Sequence, residues 1–307
     1  MKIKIGRYAI ELSNQDKVLF GKSGITKGDL IDYYAKIGPI MIPYCNSRPI
    51  SMHRFPNGIH DEGFYQKDAD NYFPDWITTI AIARQSEGFV KYVVIDKSAT
   101  LVYLANQGCI TPHLWLSRVD NVDKPDRMIF DLDPTEKLCF ADVQWVAKKL
   151  KHVLDDLGLP SFFMLTGSRG AHVVIPLKRL HTFEETRAFA HDVASLLAQK
   201  YPEKITVNVH KKERGKCVFI DWLRNGFGAT GVAPYAVRAL EGAPIAMPVV
   251  WDELCKKGMT SQRYTIKNVF KHIESVGDVW QGMPRHAVSL VKARKLLDLM
   301  KNKEIVW

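Results

Sequence analysis

Met128-Ile129-Phe130-Asp131-Leu132-Asp133-Pro134 is the stretch from which the rest of the chain is best read. Met128, Phe130 and Leu132 alternate with Ile129, Asp131 and Asp133. In a strand, alternation sends one set to an apolar face and both carboxylates to the other. Two residues along a strand separate Cα atoms by roughly 6.5–7 Å, so the two acids can converge on one or two divalent cations. Pro134 has no N–H to donate and ends the strand. A strand end with two solvated acids is the plainer alternative.

The chain around it has 307 residues, with 46% apolar and 25% charged. That is the composition of an ordinary globular protein, long enough for one large domain or two smaller ones. The net charge of +10 points to a polyanionic partner, nucleic acid first. No apolar run approaches the roughly 20 residues of a membrane span. Met1–Arg7 alternates charged and apolar residues, as a strand does and a signal peptide does not. Cys45, Cys109, Cys139, Cys217 and Cys255 are odd in number and scattered. That argues against a disulfide framework or zinc ribbon and for buried thiols in a reducing compartment such as the cytoplasm.

Taken in order, residues 3–12 read as a hairpin. Thr26 is an N-cap for a helix through Tyr33, Tyr34 and Ile37, and the segment from Pro39 to Pro49 reads as irregular. Lys27 then sits near a helix N-terminus, where an anion is favoured. Arg54-Phe55-Pro56-Asn57-Gly58 and Gly63-Phe64-Tyr65-Gln66-Lys67 interleave cations with aromatic rings, which suits base stacking beside phosphate contacts. Val90–Ile95 and Leu101–Leu104 read as a hairpin, and Ala105–Gly108 as the start of a helix or loop. Val143 to Leu157 has helical spacing and stops at Gly158. Phe162–Leu165 and Val173–Leu177 read as strands around Thr166-Gly167-Ser168-Arg169-Gly170-Ala171-His172. That turn offers amides, hydroxyls, an Arg and a His, the groups that cradle phosphate, although a plain hairpin is equally consistent.

Thr182 and Glu185 form a capping box for a helix reaching about Tyr201. His210–Lys216 reads most simply as a solvated basic turn, and Val218–Asp221 as a strand ending in an acid. The last helix reads from about His286 to Lys301, with Val288, Val291, Leu296 and Leu299 on one side. Asp131, Asp133 and Asp221 are thus three acids at strand ends. Three carboxylates can hold two Mg²⁺ or Mn²⁺ ions for phosphoryl transfer, while Ser168, Arg169, His172 and Arg238 supply what a triphosphate needs.

At this point the chain resembles the polymerase domain of bacterial and archaeal ligase D, a branch of the archaeo-eukaryotic primase superfamily. The matching segments are Thr26–Leu30, Arg54–Gly58, Gly63–Lys67, Asp131–Pro134, Gly167–His172 and Val232–Arg238, continuing into Gly242-Ala243-Pro244 and Val250–Leu254. The resemblance runs from about residue 11 to residue 280. The resemblance implies an α+β fold: a primase-like core with an RRM-like antiparallel sheet flanked by helices, and an N-terminal strand-rich subdomain. The expected organisation is a single domain. Its parts are residues 1–120 for DNA and 5′-phosphate, 121–285 for catalysis and 286–307 as a terminal helix.

It further implies that Asp131, Asp133 and Asp221 bind two Mn²⁺ or Mg²⁺ ions and catalyse. His113, Thr166, Ser168, Arg169, His172 and Arg238 would hold the incoming NTP or dNTP. Lys17 and Lys27 would take a 5′-phosphate; Arg54, Phe64, Tyr65 and Lys67 would contact DNA, Tyr65 standing where relatives commonly have a second Phe. The implied activity is template-directed gap filling or end extension in non-homologous end joining, with ribonucleotides often preferred. The DNA would carry gaps, overhangs or double-strand breaks. No ligase or nuclease module is visible before Trp307, so a DNA ligase and the end-binding protein Ku are expected in trans. De novo priming is the alternative use of the same chemistry. Two remoter ones are a non-catalytic DNA-end-binding module and a haloacid-dehalogenase-type phosphatase, the latter suggested by Asp131-Leu132-Asp133-Pro134-Thr135.

Overall fold

The computed structural model describes residues 1–69, 71–83 and 87–302, which fall into two compact units. The first comprises residues 1–120, 230–247 and 264–277; the second comprises 121–229, 248–263 and 278–307. Both mix helices with sheets that are mainly antiparallel, as an α+β class requires.

In the first unit, Lys2–Ile5 and Tyr8–Glu11 form the expected hairpin. Val18–Phe20 pairs with Ile25–Thr26, and Thr26 then caps a helix over Lys27–Cys45. The cap is reciprocal: Thr26 Oγ1 accepts from Asp29 N, and the Asp29 carboxylate accepts from Thr26 N. This helix corrects the irregular reading of Pro39 onward. Pro39 and Pro43 lie inside it, four residues apart on the exposed stripe, while Ile37, Met41, Tyr44 and Cys45 are buried opposite. Each proline frees the carbonyl four residues earlier, but on that stripe water can satisfy it. Tertiary burial then outweighs propensity.

A second correction concerns residues 98–106. Phe89–Val93 pairs with Thr79–Ala83, and Ser98–Asn106 is a helix, not the return strand of a hairpin. Leu101–Leu104 are all buried, and a short, continuously apolar run carries no period to distinguish the two. Gly38 lets this helix approach the first one: a Cβ there would lie 2.4 Å from Ser98 Oγ. Gly108, at φ +75°, turns the chain into the strand Cys109–Trp115. That strand joins a four-stranded sheet in the order Thr230–Val232, Cys109–Trp115, Ile50–Arg54, Phe64–Gln66.

The second unit is built on a six-stranded sheet. Its order is Ile205–Thr206, Val218–Asp221, Arg127–Pro134, Ala171–Pro176, Phe162–Leu165 and Met247–Val249. The acidic strand is central, antiparallel to both neighbours. Met128, Phe130 and Leu132 are wholly buried. Helices Phe140–Asp156 and Phe183–Lys200 pack on this strand and on each other, so both cover one face of the sheet. Thr182 and Glu185 make the expected capping box. Asn225 grips the acidic strand, donating to Ile129 O at 2.7 Å and accepting from Ile129 N at 2.8 Å.

The terminal helix is shorter than expected. It runs over Leu290–Lys301 behind a Ser289 N-cap, and His286 belongs to a separate 3₁₀ turn. Its buried side is Leu290, Ala293, Leu297 and Met300, while Val291 and Leu299 are exposed. Both stripes have helical spacing. The choice follows from Asp192 on the helix Phe183–Lys200, which binds both Arg294 and Lys301. The thiols also differ from expectation: all five are free, but only Cys45 and Cys109 are buried.

One glycine bears directly on the acidic strand. A Cβ on Gly170 would lie 2.0 Å from the Leu132 carbonyl oxygen, and the strands must move to admit it. Gly170→Ala should lower stability by about 2–3 kcal/mol or more, as overpacking against backbone does. A thermal melt should show a drop of several degrees, and an unchanged midpoint would mean that this close approach carries no weight.

Candidate active site

Sheet register sets the site. Asp131 lies opposite His172 on one side and Asp221 on the other, so three polar side chains form a row across three strands. Asp133 follows on the same face, two residues along. His172 Nε2 is 3.5 Å from Asp131 Oδ1. The side chains of His172, Asp131 and Asp221 are 4%, 13% and 14% exposed, enough for desolvation to matter, while Asp133 is more open at 45%.

Cations answer these acids. One guanidinium nitrogen of Arg224 bridges Asp131 Oδ2 at 3.2 Å and Asp221 Oδ2 at 3.0 Å. Arg214 lies 3.9 Å from Asp133 and covers the Phe219 ring with its guanidinium carbon 3.7 Å from the centroid. Burial raises the pKa of Asp133, the Asp131 charge adds to it, and Arg214 and Arg169 oppose it. Burial likewise raises Asp221; Arg224 opposes and Asp131 reinforces. For Arg224, burial works against the charge, but Asp131, Asp221 and Asp133 outweigh it and lift the pKa above the ordinary arginine value.

Among the described residues, no three His, Cys, Asp or Glu side chains converge as a metal site. Asp131 and Asp221, opposite one another across two strands, are linked by Arg224 instead. The donor set nevertheless fits a divalent cation: hard carboxylate oxygens, crowded enough to raise one another's pKa, already organised around positive charge.

The turn beside the acids is held from within. Thr166 Oγ1 donates to Gly170 O at 2.9 Å, and Ser261 Oγ donates to the same oxygen at 2.6 Å. Gln262 donates to Ser168 O at 3.0 Å. The buried Thr166 hydroxyl thus holds the turn, Ser168 is half-buried, and Arg169 is exposed. A cavity of about 370 Å³ opens next to Asp133, with Thr135, Lys137, Arg169, Lys212 and Arg214 in its wall. The basic loop read as a solvated turn therefore belongs to this site, and Arg214 is buried in it. Sequence reading missed Arg214, Arg224 and Asn225. Only the three-residue spacing from Asp221 to Arg224 was visible locally.

The remaining candidates belong to the first unit. His113 lies in the strand Cys109–Trp115, opposite Ser51 and Val232. His53 stacks on Tyr65 at 4.1 Å and 5°. Its pKa falls to about 4, first through burial and then through the Arg238 charge, so it is neutral at physiological pH. Arg54 donates to Gln107 O and binds Gln66, and its guanidinium carbon lies 5.5 Å from the Phe64 ring centroid. It thereby fixes the strand that displays Phe64 and Tyr65, 46% and 58% exposed. Lys67 follows that strand and is exposed. Lys27 is buried with Nζ 3.0 Å from Ser13 Oγ; burial and the Lys17 charge lower its pKa. Lys17 itself donates to Asn57 Oδ1 at 2.9 Å.

Residues 26–280 match the family model described as LigD, primase-polymerase domain. The chain belongs to this family. It is 30% identical over 302 residues to the multifunctional non-homologous end joining protein LigD of Mycolicibacterium smegmatis, across 97% of this chain and 39% of that protein. It is 29% identical over 269 residues to the bifunctional non-homologous end joining protein LigD of Bacillus subtilis, across 87% of this chain and 43% of that one. The chain thus spans about two fifths of these relatives. Among solved structures, the polymerase domain of Mycobacterium tuberculosis ligase D in complex with DNA matches with a TM-score of 0.85 and 30% identity. That match covers 91% of this chain and 99% of that one. LigD primase-polymerase domains are nucleotidyltransferases of the polymerase and primase type, and the family implies metal-dependent transfer from nucleoside triphosphates. The phosphatase alternative is thereby excluded.

The raised pKa of Asp133 has a measurable consequence. The folded chain takes up this proton at higher pH than the unfolded chain, so the charged form costs stability once pH rises through the raised value. In chelator, Asp133→Asn should melt above the wild type at pH 7, and the difference should close as pH falls toward about 4. Added Mn²⁺ should raise the wild-type midpoint and leave that of Asp131→Asn/Asp133→Asn unmoved. Equal shifts in both would remove these acids from metal binding.

Proposed function

We propose that this chain is a template-directed polymerase acting on broken or gapped DNA in end joining. The observation that carries the reading is the register of Asp131 opposite Asp221 with Asp133 beside them, in a chain of the primase-polymerase family. On this reading the three aspartates hold two divalent ions, Mn²⁺ or Mg²⁺. Such ions activate an attacking hydroxyl and stabilise a leaving pyrophosphate. Arg224 bridges Asp131 and Asp221 and supplies the positive charge that opposes their repulsion. His172 orients Asp131 through its Nε2 contact. Arg169 and Ser168 offer charge and hydroxyl to a triphosphate, and Thr166 shapes the turn that presents them. His113 and Arg238 are assigned to the nucleotide on the family resemblance.

In the first unit, Phe64 and Tyr65 offer exposed ring faces to unpaired template bases, with Arg54 and Lys67 beside them for phosphates. Lys17 and Lys27 take the 5′-phosphate that borders a gap. Burial first and then the Lys17 charge lower the Lys27 pKa, and a bound anion would offset both. The name of the solved relative states that it was captured with DNA, which supports this assignment. A DNA ligase and Ku are proposed as partners, and ribonucleoside triphosphates as preferred substrates.

Wild-type protein with Mn²⁺, nucleoside triphosphates and a gapped duplex bearing a 5′-phosphate should extend the primer according to template. Asp131→Ala/Asp133→Ala should lose at least a thousandfold in rate while still binding the duplex. Binding without extension by the wild type would leave only a DNA-end-binding module, and extension without any primer would favour the priming role. Lys17→Ala/Lys27→Ala should weaken binding to the 5′-phosphorylated gap about tenfold or more, with little change for the unphosphorylated one. Equal losses would dissociate these lysines from the 5′-phosphate.

A further inference from the structure

The turn that joins Val18–Phe20 to Ile25–Thr26 already holds an oxyanion. The Glu241 carboxylate accepts four hydrogen bonds there. Lys22 N donates to Oε1 at 3.1 Å and His60 Nε2 meets the same oxygen at 2.8 Å. Ser23 N and Ser23 Oγ both donate to Oε2 at 3.2 Å. Successive backbone amides flanked by a hydroxyl and an imidazole form a concave anion nest, of the kind that takes phosphate. Gly21 makes room for the imidazole: a Cβ there would lie 2.6 Å from His60 Nε2. The bonds hold Glu241 below the ordinary carboxylate range, the Lys22 amide first among them.

Two features set this apart from a buried structural latch. The nest is open, with the His60 side chain 60% exposed and that of Glu241 33%. Glu241 is also a partly exposed side chain at the edge of the core, just before a tight turn in which Gly242 and the buried Ala243 adopt φ values of +80° and +49°. Rotation of the Glu241 side chain alone would withdraw the carboxylate and leave the buried Ala243 in place.

The nest also lies on a ribbon that leads from the two lysines. Residues 57–60 run beside Val18–Phe20: Lys17 Nζ donates to Asn57, Ile59 N donates to Leu19 O at 2.8 Å, and His60 sits over Gly21. Four residues of extended chain from Lys17 to Gly21 cover about 13 Å, on the order of two to four nucleotides of a DNA strand.

We propose that Lys22, Ser23 and His60 form a second phosphate site, for a backbone phosphate a few nucleotides into the strand whose 5′-phosphate meets Lys17 and Lys27. Glu241 is its internal occupant, displaced when DNA binds. The proposal rests on the reading of Lys17 and Lys27 given above. The site takes any phosphodiester, so it adds affinity and direction without sequence preference. Glu241 taxes that affinity, and thereby favours DNA that engages both phosphates at once over DNA that offers only one.

Anisotropy titrations with a 5′-phosphorylated gapped duplex test this. Glu241→Ala should bind threefold to tenfold more tightly than wild type, and the log affinity should fall more steeply with log salt by about one unit. His60→Ala in that background should reverse most of the gain. A set of duplexes with a single neutral methylphosphonate should locate the effect. Substitution at one position, two to four nucleotides from the 5′ end, should abolish the advantage of Glu241→Ala, while distal positions leave it intact.

An advantage that is absent, or equally insensitive to methylphosphonate at every position, would overturn the site and leave Glu241 as a structural latch only. The Lys17→Ala/Lys27→Ala protein on duplexes with and without the 5′-phosphate reports separately. If those lysines prove indifferent to the 5′-phosphate but one internal position still matters, the nest stands and only its reference point is lost.

Discussion

Carboxylates placed in neighbouring positions across adjacent strands, and partly withdrawn from water, repel one another and resist ionisation unless a cation is close. The second unit is arranged around that constraint. Asp131 and Asp221 face each other across two strands, Asp133 follows on the same face, and burial raises the pKa of both Asp133 and Asp221. Arg224 and Arg214 supply the positive charge. Such a row is costly to keep unless positive charge lies close by. On the proposed reading, divalent cations would relieve that repulsion.

Other features of the unit hold that row in register. A strand slip of one residue would carry the acids to the helix-covered face. Asn225 bonds both polar backbone groups of Ile129, and Gly170 admits the turn against Leu132 O. Thr166 and Ser261 converge on the Gly170 carbonyl, so the turn bearing Ser168, Arg169 and His172 is fastened where the acids are. The Thr166 hydroxyl, which looks like a ligand in the sequence, is here committed to the shape of the turn. Arg169 is left exposed, which suits the binding role proposed for it.

The first unit meets a different demand, which is to display cations and rings without a collapse of its surface. Arg54 braces the strand that carries Phe64 and Tyr65, and His53, kept neutral by burial and by Arg238, stacks beneath Tyr65 without adding charge. Lys17 and Lys27 stay close despite their repulsion because the backbone pairs them: Lys27 N donates to Lys17 O at 2.8 Å. The nest that holds Glu241 follows the same logic, with donors placed by a turn and satisfied for the present by an internal acid.

Local chemistry was enough to read much of this from the chain. The alternation around Asp131 named the strand and its two faces. Thr26 with its helix, and Thr182 with Glu185, marked two helix starts, because a cap and its partner lie three residues apart. The three aspartates and the family segments were legible because they are short and contiguous. What required tertiary structure depended on partners distant in sequence. Leu101–Leu104 became helical through burial on all sides, and Pro39 and Pro43 were tolerated because their stripe faces water. The terminal helix chose its buried side by pairing with Asp192, more than a hundred residues away. Arg214 and Arg224 joined the acids only when a strand from residue 218 paired with one from residue 127. Sequence by itself determined which groups could carry charge and which segments could be strands; only the fold decided which charges meet, because Coulomb energy and desolvation depend on distances that chain order does not specify.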